Sequence, residues 1–155
     1  MTTLKKGNKI PNVQTVDENG NTINFADFKG RKLVIYFYPK DDTPGCTAEA
    51  CSLRDNYSEF EKKGYKIFGV STDSQQSHKK FISKYELPFT LISDVDKSII
   101  NAFGVWGEKN MYGKSYEGIL RTTFIISEDG TIEDVIEKVN TKNHAVQIFE
   151  AIVNS

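Results

Sequence analysis

The chain has 155 residues, and its 20 Lys and Arg residues nearly balance its 21 Asp and Glu residues, leaving a formal net charge of -1. This balance, without a long run of one sign, argues against a nucleic-acid or membrane-surface binder. No stretch approaches the roughly 18 apolar residues of a membrane span, and residues 1–13 lack the apolar core of a secretory signal, so we expect a cytoplasmic protein. A chain of this length buries about 70% of its unfolded surface without a disulfide or a metal. We predict one domain over residues 1–155.

The first half of the chain predicts a hairpin followed by a strand, a helix and a strand. VQTVDENGNTINF alternates apolar and polar residues around Asn19 and Gly20, a dipeptide that suits a tight turn. Residues 32–38 (KLVIYFY) and 65–71 (YKIFGVS) are β-branched and aromatic runs typical of strands buried on both faces. Residues 43–62 between them carry a helical pattern. This order implies parallel strands joined by a right-handed crossover.

The second half predicts further helices and a second hairpin. SQQSHKKFISKYE indicates a helix, PFTLIS a short strand, and DVDKSIINAFG a third helix with Asp94 as N-cap and Gly104 at its C-terminal end. TTFIISEDGTIEDVIEKV predicts two strands joined through Asp129 and Gly130, and NHAVQIFEAIVNS a closing helix. The order of elements predicts an α/β fold with a mixed sheet flanked by helices on both faces.

The two cysteines of the chain, Cys46 and Cys51, follow the first buried strand. Thr43 suits an N-cap and Pro44 the first helical position, which places Cys46 in the first turn of the helix. Unpaired N–H groups and the helix dipole favour a thiolate there, and the thiolate is the nucleophilic form of cysteine. The pattern therefore predicts redox chemistry at Cys46. The alternative is a small buried apolar residue on the hydrophobic face of the helix.

The spacing of the cysteines limits how they can react together. Five residues along an α-helix separate two Cα atoms by roughly 8.7 Å, whereas a disulfide spans at most about 7 Å between Cα atoms. A bond between Cys46 and Cys51 would therefore require the first turns of the helix to unwind, and the alternative is that Cys51 is an incidental helix residue. A zinc site is disfavoured because the other candidate ligands are only His78 and His144, without finger spacing. The C-x4-C spacing also differs from a C-x-x-C dithiol.

A family resemblance emerges from the residues around the first cysteine. Pro39, Thr43 and Cys46 spell P-x-x-x-T-x-x-C, the active-site signature of peroxiredoxins, and with Cys51 the chain resembles the Q-type peroxiredoxins, also called bacterioferritin comigratory proteins. The likeness continues through GVSTDS, ELPFTLISD, FGVWGEKNMYGKSYEGILRTTFIISEDG and a closing His144, so it covers nearly the whole chain.

The resemblance implies a thioredoxin-like fold and a thiol-dependent peroxidase that reduces hydrogen peroxide and organic hydroperoxides. It implies that Cys46 is the peroxidatic cysteine and Cys51 the resolving one. Thr43 would hydrogen-bond the thiolate and the peroxide oxygen, and Pro39 would shield the pocket from water. Arg121 would be the cation beside the thiolate, although an arginine before a strand is otherwise most often a solvated surface residue.

The resemblance also implies the partners of the protein. No metal, haem or other cofactor is expected, the substrate is a peroxide, and the reductant is a thioredoxin-like or glutaredoxin-like protein. We expect a monomer. The alternative function is a redox-sensing binding protein switched by the same disulfide, and a general disulfide oxidoreductase is disfavoured by the cysteine spacing. Asp73, His78 and Trp106 are left without a functional role.

Overall fold

A computed structural model of the protein describes residues 4–153. The ends of the predicted domain, including Asn154 and Ser155 of the predicted closing helix, lie outside the described residues. The strands are β1 (Gln14–Val16), β2 (Thr22–Asn24), β3 (Lys32–Phe37), β4 (Tyr65–Ser71), β5 (Thr90–Ser93), β6 (Trp106–Met111), β7 (Lys114–Ile119), β8 (Thr122–Ile126) and β9 (Ile132–Ile136). The helices are α1 (Pro44–Asp55), α2 (Tyr57–Lys62), α3 (Gln75–Tyr85), α4 (Ser98–Phe103) and α5 (His144–Val153).

The central sheet is mixed, as the order of elements predicts. Its strand order is β5-β4-β3-β8-β9. Strand β3 pairs in parallel with β4 and β4 with β5, whereas β8 runs antiparallel to both β3 and β9. The predicted strand–helix–strand unit is thus confirmed, as are the opening hairpin of β1 and β2 and the later hairpin of β8 and β9.

Helices cover both faces of the sheet because the central strands are apolar on both sides. Val34 and Tyr36 of β3 pack into a core with residues of α1, α2, α3 and α5. Ile35 and Phe37 point to the opposite core, which contains residues of α4. This alternation explains why β3 is a continuous apolar run. Because β3 lies between β4 and β8 in the centre of the sheet, its carboxyl end and the loop that leads into α1 lie between the ends of those two strands.

Two predicted helix boundaries are wrong. The helix predicted over residues 43–62 divides at Asn56, whose side-chain amide donates to the carbonyl of Ser52 and competes with the helical backbone pattern. Asp94 is not the N-cap of α4, because that position belongs to Lys97 in the left-handed conformation. The Asp94 carboxylate still accepts hydrogen bonds from early N–H groups of α4. Gly104 ends α4 with a φ of 69°, as predicted.

The hairpin of β6 and β7 was not predicted from the sequence. The residues from 112 to 117 are exposed, so this part of the hairpin has no buried face and no alternation of apolar and polar residues. Its two strands pair antiparallel, from Trp106 opposite Ile119 to Met111 opposite Lys114, and β7 leads directly to Arg121. No helix in the described range is long and apolar enough to cross a membrane.

Candidate active site

Cys46 lies in the first turn of α1, at the end of the loop that follows β3. Thr43 occupies the N-cap position and Pro44 is the first helical residue, as predicted. The Cys46 side chain is buried, with 1% of its surface exposed. Both cysteines are free thiols within the same helix, and Cys51 is partly exposed. The reduced protein therefore has continuous helix through Cys46 and Cys51.

Arg121 joins Cys46 to a buried carboxylate. The register of β3 and β8 sets Phe37 opposite Thr122, which brings Arg121 to the edge of the sheet where the loop to α1 begins. Its Nη2 donates to Sγ of Cys46 at 3.4 Å, and its Nη1 donates to Oε1 of Glu49 at 2.7 Å. A guanidinium donating to sulfur stabilises the thiolate rather than the thiol. This is the cation that the residues next to Cys46 in sequence do not provide.

Gly45 leaves room for the guanidinium. A Cβ atom at this position would lie 3.3 Å from Nη2 of Arg121, closer than most side-chain contacts. A larger residue would thus press against the donor that reaches Cys46. The glycine between Pro44 and Cys46 is part of the geometry of the site.

Glu49 is a buried residue of the site that the sequence analysis missed. It lies three residues after Cys46 on the same face of α1, and it is fully buried. Burial raises the pKa of Glu49 to about 7, although the charge and hydrogen bond of Arg121 act in the opposite direction. An acidic residue on the apolar face of a helix, one turn from a candidate nucleophile, is the signal that could have identified it.

The remaining predicted site residues surround Cys46 less directly. The hydroxyl of Thr43 donates to the carbonyl of Lys40 at 2.9 Å, so its proton does not make the predicted hydrogen bond to the Cys46 thiolate here. The lone pairs of the hydroxyl remain to accept from a substrate. Pro39 is partly buried in the same loop. The roles of Thr43, Pro39 and Cys51 stay predictions.

A surface cleft opens beside the guanidinium, lined by Lys109, Leu120, Arg121, Thr122, Glu137, Lys138 and Val139.

Helix α3 holds the loop between β3 and α1. Nδ1 of His78 lies 2.7 Å from Oδ2 of Asp41, and Nε2 of His78 lies 2.8 Å from the carbonyl oxygen of Ile92. Since a carbonyl only accepts, Nε2 carries a proton. Oδ2 of Asp73 accepts from the N–H of Asp41 at 2.8 Å. His78 and Asp73 thus have a structural role in fixing the loop that carries Pro39 and Thr43.

The next residue of the loop is held as well. Asp42 adopts a φ of 57°, in the left-handed region. Its carboxylate accepts from Nζ of Lys84 at 2.7 Å and from the hydroxyl of Tyr85 at 2.8 Å. These contacts with the last turn of α3 offset the cost of the left-handed conformation, which is about 1 kcal/mol or more for a residue other than glycine. The loop therefore enters α1 from a fixed position.

Replacing His78 by glutamine should destabilise the protein, and more at low pH. Burial opposes the charge on the imidazole, but the hydrogen bond and the charge of Asp41 outweigh it and raise the pKa of His78. The stability from this pair is fully present below the unfolded pKa of about 6.5, and it is lost as pH rises through the higher folded pKa. Breaking a buried pair costs about 3–5 kcal/mol. Urea unfolding from pH 5.5 to pH 9 measures the difference between the two proteins.

The exposed neighbour Lys79 provides the control for this prediction. Lys79→Gln should change the unfolding free energy by less than about 0.5 kcal/mol at every pH. A difference between His78→Gln and the unmodified protein that stays constant over this pH range would contradict a charged His78 in the folded state.

Comparison with known proteins places this site in a family. Residues 6–135 match the model of the AhpC/TSA family. The chain is 46% identical over 144 residues to Peroxiredoxin Bcp of Escherichia coli K12, covering 93% of this chain and 92% of the relative. It is 41% identical over 150 residues to Peroxiredoxin Bcp of Bacillus subtilis, covering 97% of this chain and 96% of the relative.

Solved structures agree with this result. A mutant of Xanthomonas campestris Peroxiredoxin Q matches with a TM-score of 0.88 and 39% identity, over 97% of this chain and 99% of that one. A further structure describes the alkyl peroxide reduction activity of the bacterioferritin comigratory protein of the same organism. It matches with a TM-score of 0.87 and 38% identity, over 99% of this chain and 98% of that one. The predicted thioredoxin-like fold is confirmed. The chain belongs to the AhpC/TSA family and is a thiol peroxidase of the Bcp or Q type of peroxiredoxin.

Proposed function

We propose that the protein reduces hydrogen peroxide and organic hydroperoxides, with Cys46 as the peroxidatic cysteine. The observation that carries this proposal is the 3.4 Å contact between Nη2 of Arg121 and Sγ of Cys46 in the first turn of α1. The alkyl peroxide reduction described for the Xanthomonas campestris protein supports the choice of substrate. The chemistry uses only side chains of the protein and an external thiol reductant.

In the first step the Cys46 thiolate attacks the distal oxygen of the peroxide. The sulfur–oxygen bond forms, the oxygen–oxygen bond breaks, and an alkoxide or hydroxide leaves, so that Cys46 becomes a sulfenic acid. Arg121 stabilises the thiolate before the attack and the departing oxyanion after it, as a preorganised donor does. Thr43 would accept a hydrogen bond from the peroxide, and Pro39 would keep water from the thiolate.

In the second step the Cys51 thiol condenses with the sulfenic acid and releases water. In regular helix the two Cα atoms lie roughly 8.7 Å apart, so the first turns of α1 must unwind before the disulfide can form. The loop before α1 is held by α3 through Asp41 and Asp42, so we expect the unwinding to stay within α1. A thioredoxin-like or glutaredoxin-like donor would then restore both thiols. We still predict that the protein is a cytoplasmic monomer with a single domain.

Peroxide treatment should give an intramolecular disulfide between Cys46 and Cys51. Alkylation of free thiols followed by peptide mass spectrometry identifies this bond. The Cys51→Ser variant is the matched control, because it should stop at a Cys46 sulfenic acid that can be trapped. An unmodified Cys46 after peroxide treatment would refute the proposed function, and a bond between two chains would refute the intramolecular resolving step.

The same oxidised sample tests the unwinding of α1. Amide hydrogen exchange should become faster over the first turns of α1 in the disulfide form, while the amides of β3 and β4 stay protected. Regular helix from Cys46 to Cys51 in the oxidised protein would contradict the proposed pairing.

A redox-sensing binding protein is the second candidate. It is favoured by the position of both cysteines in one helix, since a disulfide between them would remodel the surface of α1. The rate of turnover separates the two functions. A sensor reacts once for each signal, whereas a peroxidase cycles many times in the presence of a reductant.

A further inference from the structure

Behind Arg121 lies a buried carboxyl oxygen without a hydrogen bond. Oε1 of Glu49 accepts from Nη1 of Arg121, but Oε2 makes no hydrogen bond within residues 4–153 and is inaccessible to solvent. Oε2 lies 3.4 Å from Nε2 of His144, a fully buried residue of α5. A buried carboxylate oxygen without a partner is costly. The protonation states of Glu49 and His144 decide whether the protein bears this cost.

The hydrogen bonds of Gln147 fix the protonation of one nitrogen of His144. Nε2 of Gln147 donates to the carbonyl of Lys138 at 2.7 Å, and Oε1 accepts from the N–H of Asn140 at 3.0 Å, so the orientation of the amide is determined. Nδ1 of His144 lies 2.9 Å from Oε1 of Gln147 and must donate to it. The other nitrogen, Nε2, lies 2.7 Å from Oγ1 of Thr123 and faces Glu49.

Burial lowers the pKa of His144 to about 4, so His144 is neutral and its Nε2 accepts from the hydroxyl of Thr123. Oε2 of Glu49 then faces an unprotonated nitrogen at 3.4 Å and has no donor within residues 4–153, so a negative charge on this buried carboxyl would be only half satisfied. Burial raises the pKa of Glu49 to about 7. Glu49 is thus a neutral acid below about pH 7.

The protonation of Glu49 affects the balance of charge around Arg121. Arg121 is the buried site's fixed cation, and Cys46 and Glu49 are the two groups that can be anions in contact with it. Tyr36 of β3 stays neutral, since burial raises its pKa well above the usual value. Lys109 of β6 is a second cation near Arg121, and burial and the charge of Arg121 lower its pKa. It donates to the carbonyl of Ile119 and is partly exposed, so water screens its charge more than that of the guanidinium. One anion balances Arg121, whereas two anions or none would leave a net charge buried at this point.

We propose that Glu49 is the charge-compensating carboxyl of the reaction, neutral while Cys46 is a thiolate and ionised once Cys46 is a sulfenic acid. This inference rests on the proposed function. In the reaction the electron pair of the thiolate forms the sulfur–oxygen bond and the alkoxide leaves with the pair of the oxygen–oxygen bond. The alkoxide gains one proton and Glu49 loses one. The negative charge next to Arg121 passes from Cys46 to Glu49, and no proton is taken from solvent.

Counting protons during a single turnover tests the inference. The Cys51→Ser protein, which stops at the sulfenic acid, is mixed with peroxide in weak buffer with a pH indicator. The thiolate consumed is measured by its ultraviolet absorbance. We expect close to zero protons taken from solvent per thiolate at pH 6, and about one at pH 8.5, because Glu49 is then already ionised. The Cys51→Ser protein that also carries Glu49→Gln should take about one proton from solvent per thiolate at both pH values.

The outcomes separate this inference from the proposed function. About one proton per thiolate at pH 6 in the protein that retains Glu49 would overturn the inference and leave the peroxidase intact. A failure to form sulfenic acid would overturn both. If Glu49→Gln does not fold, the pH course of the Cys51→Ser protein remains decisive. Infrared difference spectra of that protein should also show that oxidation removes the carbonyl band of a protonated carboxyl, and an unchanged band would overturn the inference.

Discussion

Replacement of Cys46 by serine is expected to lower peroxide turnover by more than about 1,000-fold. A serine hydroxyl is nearly the size of a thiol, but it stays protonated at neutral pH beside Arg121, so no anionic nucleophile attacks the peroxide. The buried position of Cys46 in α1 should accept the change without unfolding. Steady-state peroxide consumption coupled to a thiol reductant measures the effect, and circular dichroism confirms that the variant is folded.

The matched control changes the other cysteine of the same helix. Cys51→Ser should keep the first reaction with peroxide and lose recycling by a thioredoxin-like donor. Undiminished turnover by Cys46→Ser would remove the nucleophile from the mechanism. Full recycling of Cys51→Ser would instead show that another thiol resolves the sulfenic acid.

The proposed mechanism gives the start of α1 two roles that place opposite demands on it. As a nucleophile site it must be rigid, and the contacts of Asp41 and Asp42 with α3 provide that rigidity on the loop side. As one end of the proposed disulfide with Cys51 it would have to unwind. Both demands can be met if the loop stays fixed while the first turns of α1 unwind. Cys46 can then move away from the guanidinium without displacing Pro39 and Thr43. In this mechanism the loss of the thiolate charge on oxidation would weaken the contact with Arg121 and favour this release.

The sequence predicted those parts of the site that depend on local chemistry. Pro44 marks the start of α1 through its fixed backbone geometry, and Thr43 precedes it as the N-cap residue in an extended conformation, although its side chain makes no capping hydrogen bond. The apolar runs of β3 and β4 predicted their central position because a strand buried on both faces has no polar alternation. The location of Cys46 therefore followed without a structure.

The parts that were missed depend on contacts between distant residues. The family resemblance named Arg121 but not its contact with Glu49, which is 72 positions away in sequence, so no spacing rule relates the two residues. His144 meets Glu49 only because α5 packs against α1. The hairpin of β6 and β7 was missed for a different reason, since its exposed strands lack the apolar pattern on which a strand prediction depends. Only the fold shows that this hairpin leads the chain to Arg121.

Replacing Arg121 by methionine should lower kcat/KM for peroxide by about 100- to 1,000-fold, the usual effect of removing one preorganised donor. Arg121→Lys should recover part of the loss. A lysine supplies the charge but not the planar fork that reaches Sγ of Cys46 and Oε1 of Glu49 together. Initial rates at low peroxide concentration measure the effect. The exposed Arg31 is the control, and Arg31→Met should stay within about twofold of the unmodified protein.

The stability of Arg121→Met should separate an electrostatic role from a structural one. Removing the partner of a buried carboxylate normally costs about 3–5 kcal/mol. Glu49, whose pKa burial has already raised to about 7, can instead keep its proton when the guanidinium is absent. We therefore expect the variant to unfold at nearly the same urea concentration as the unmodified protein at pH 6 and to lose stability as pH rises above 7. An activity within threefold of the unmodified protein, or an equal loss of stability at every pH, would contradict this account of Arg121.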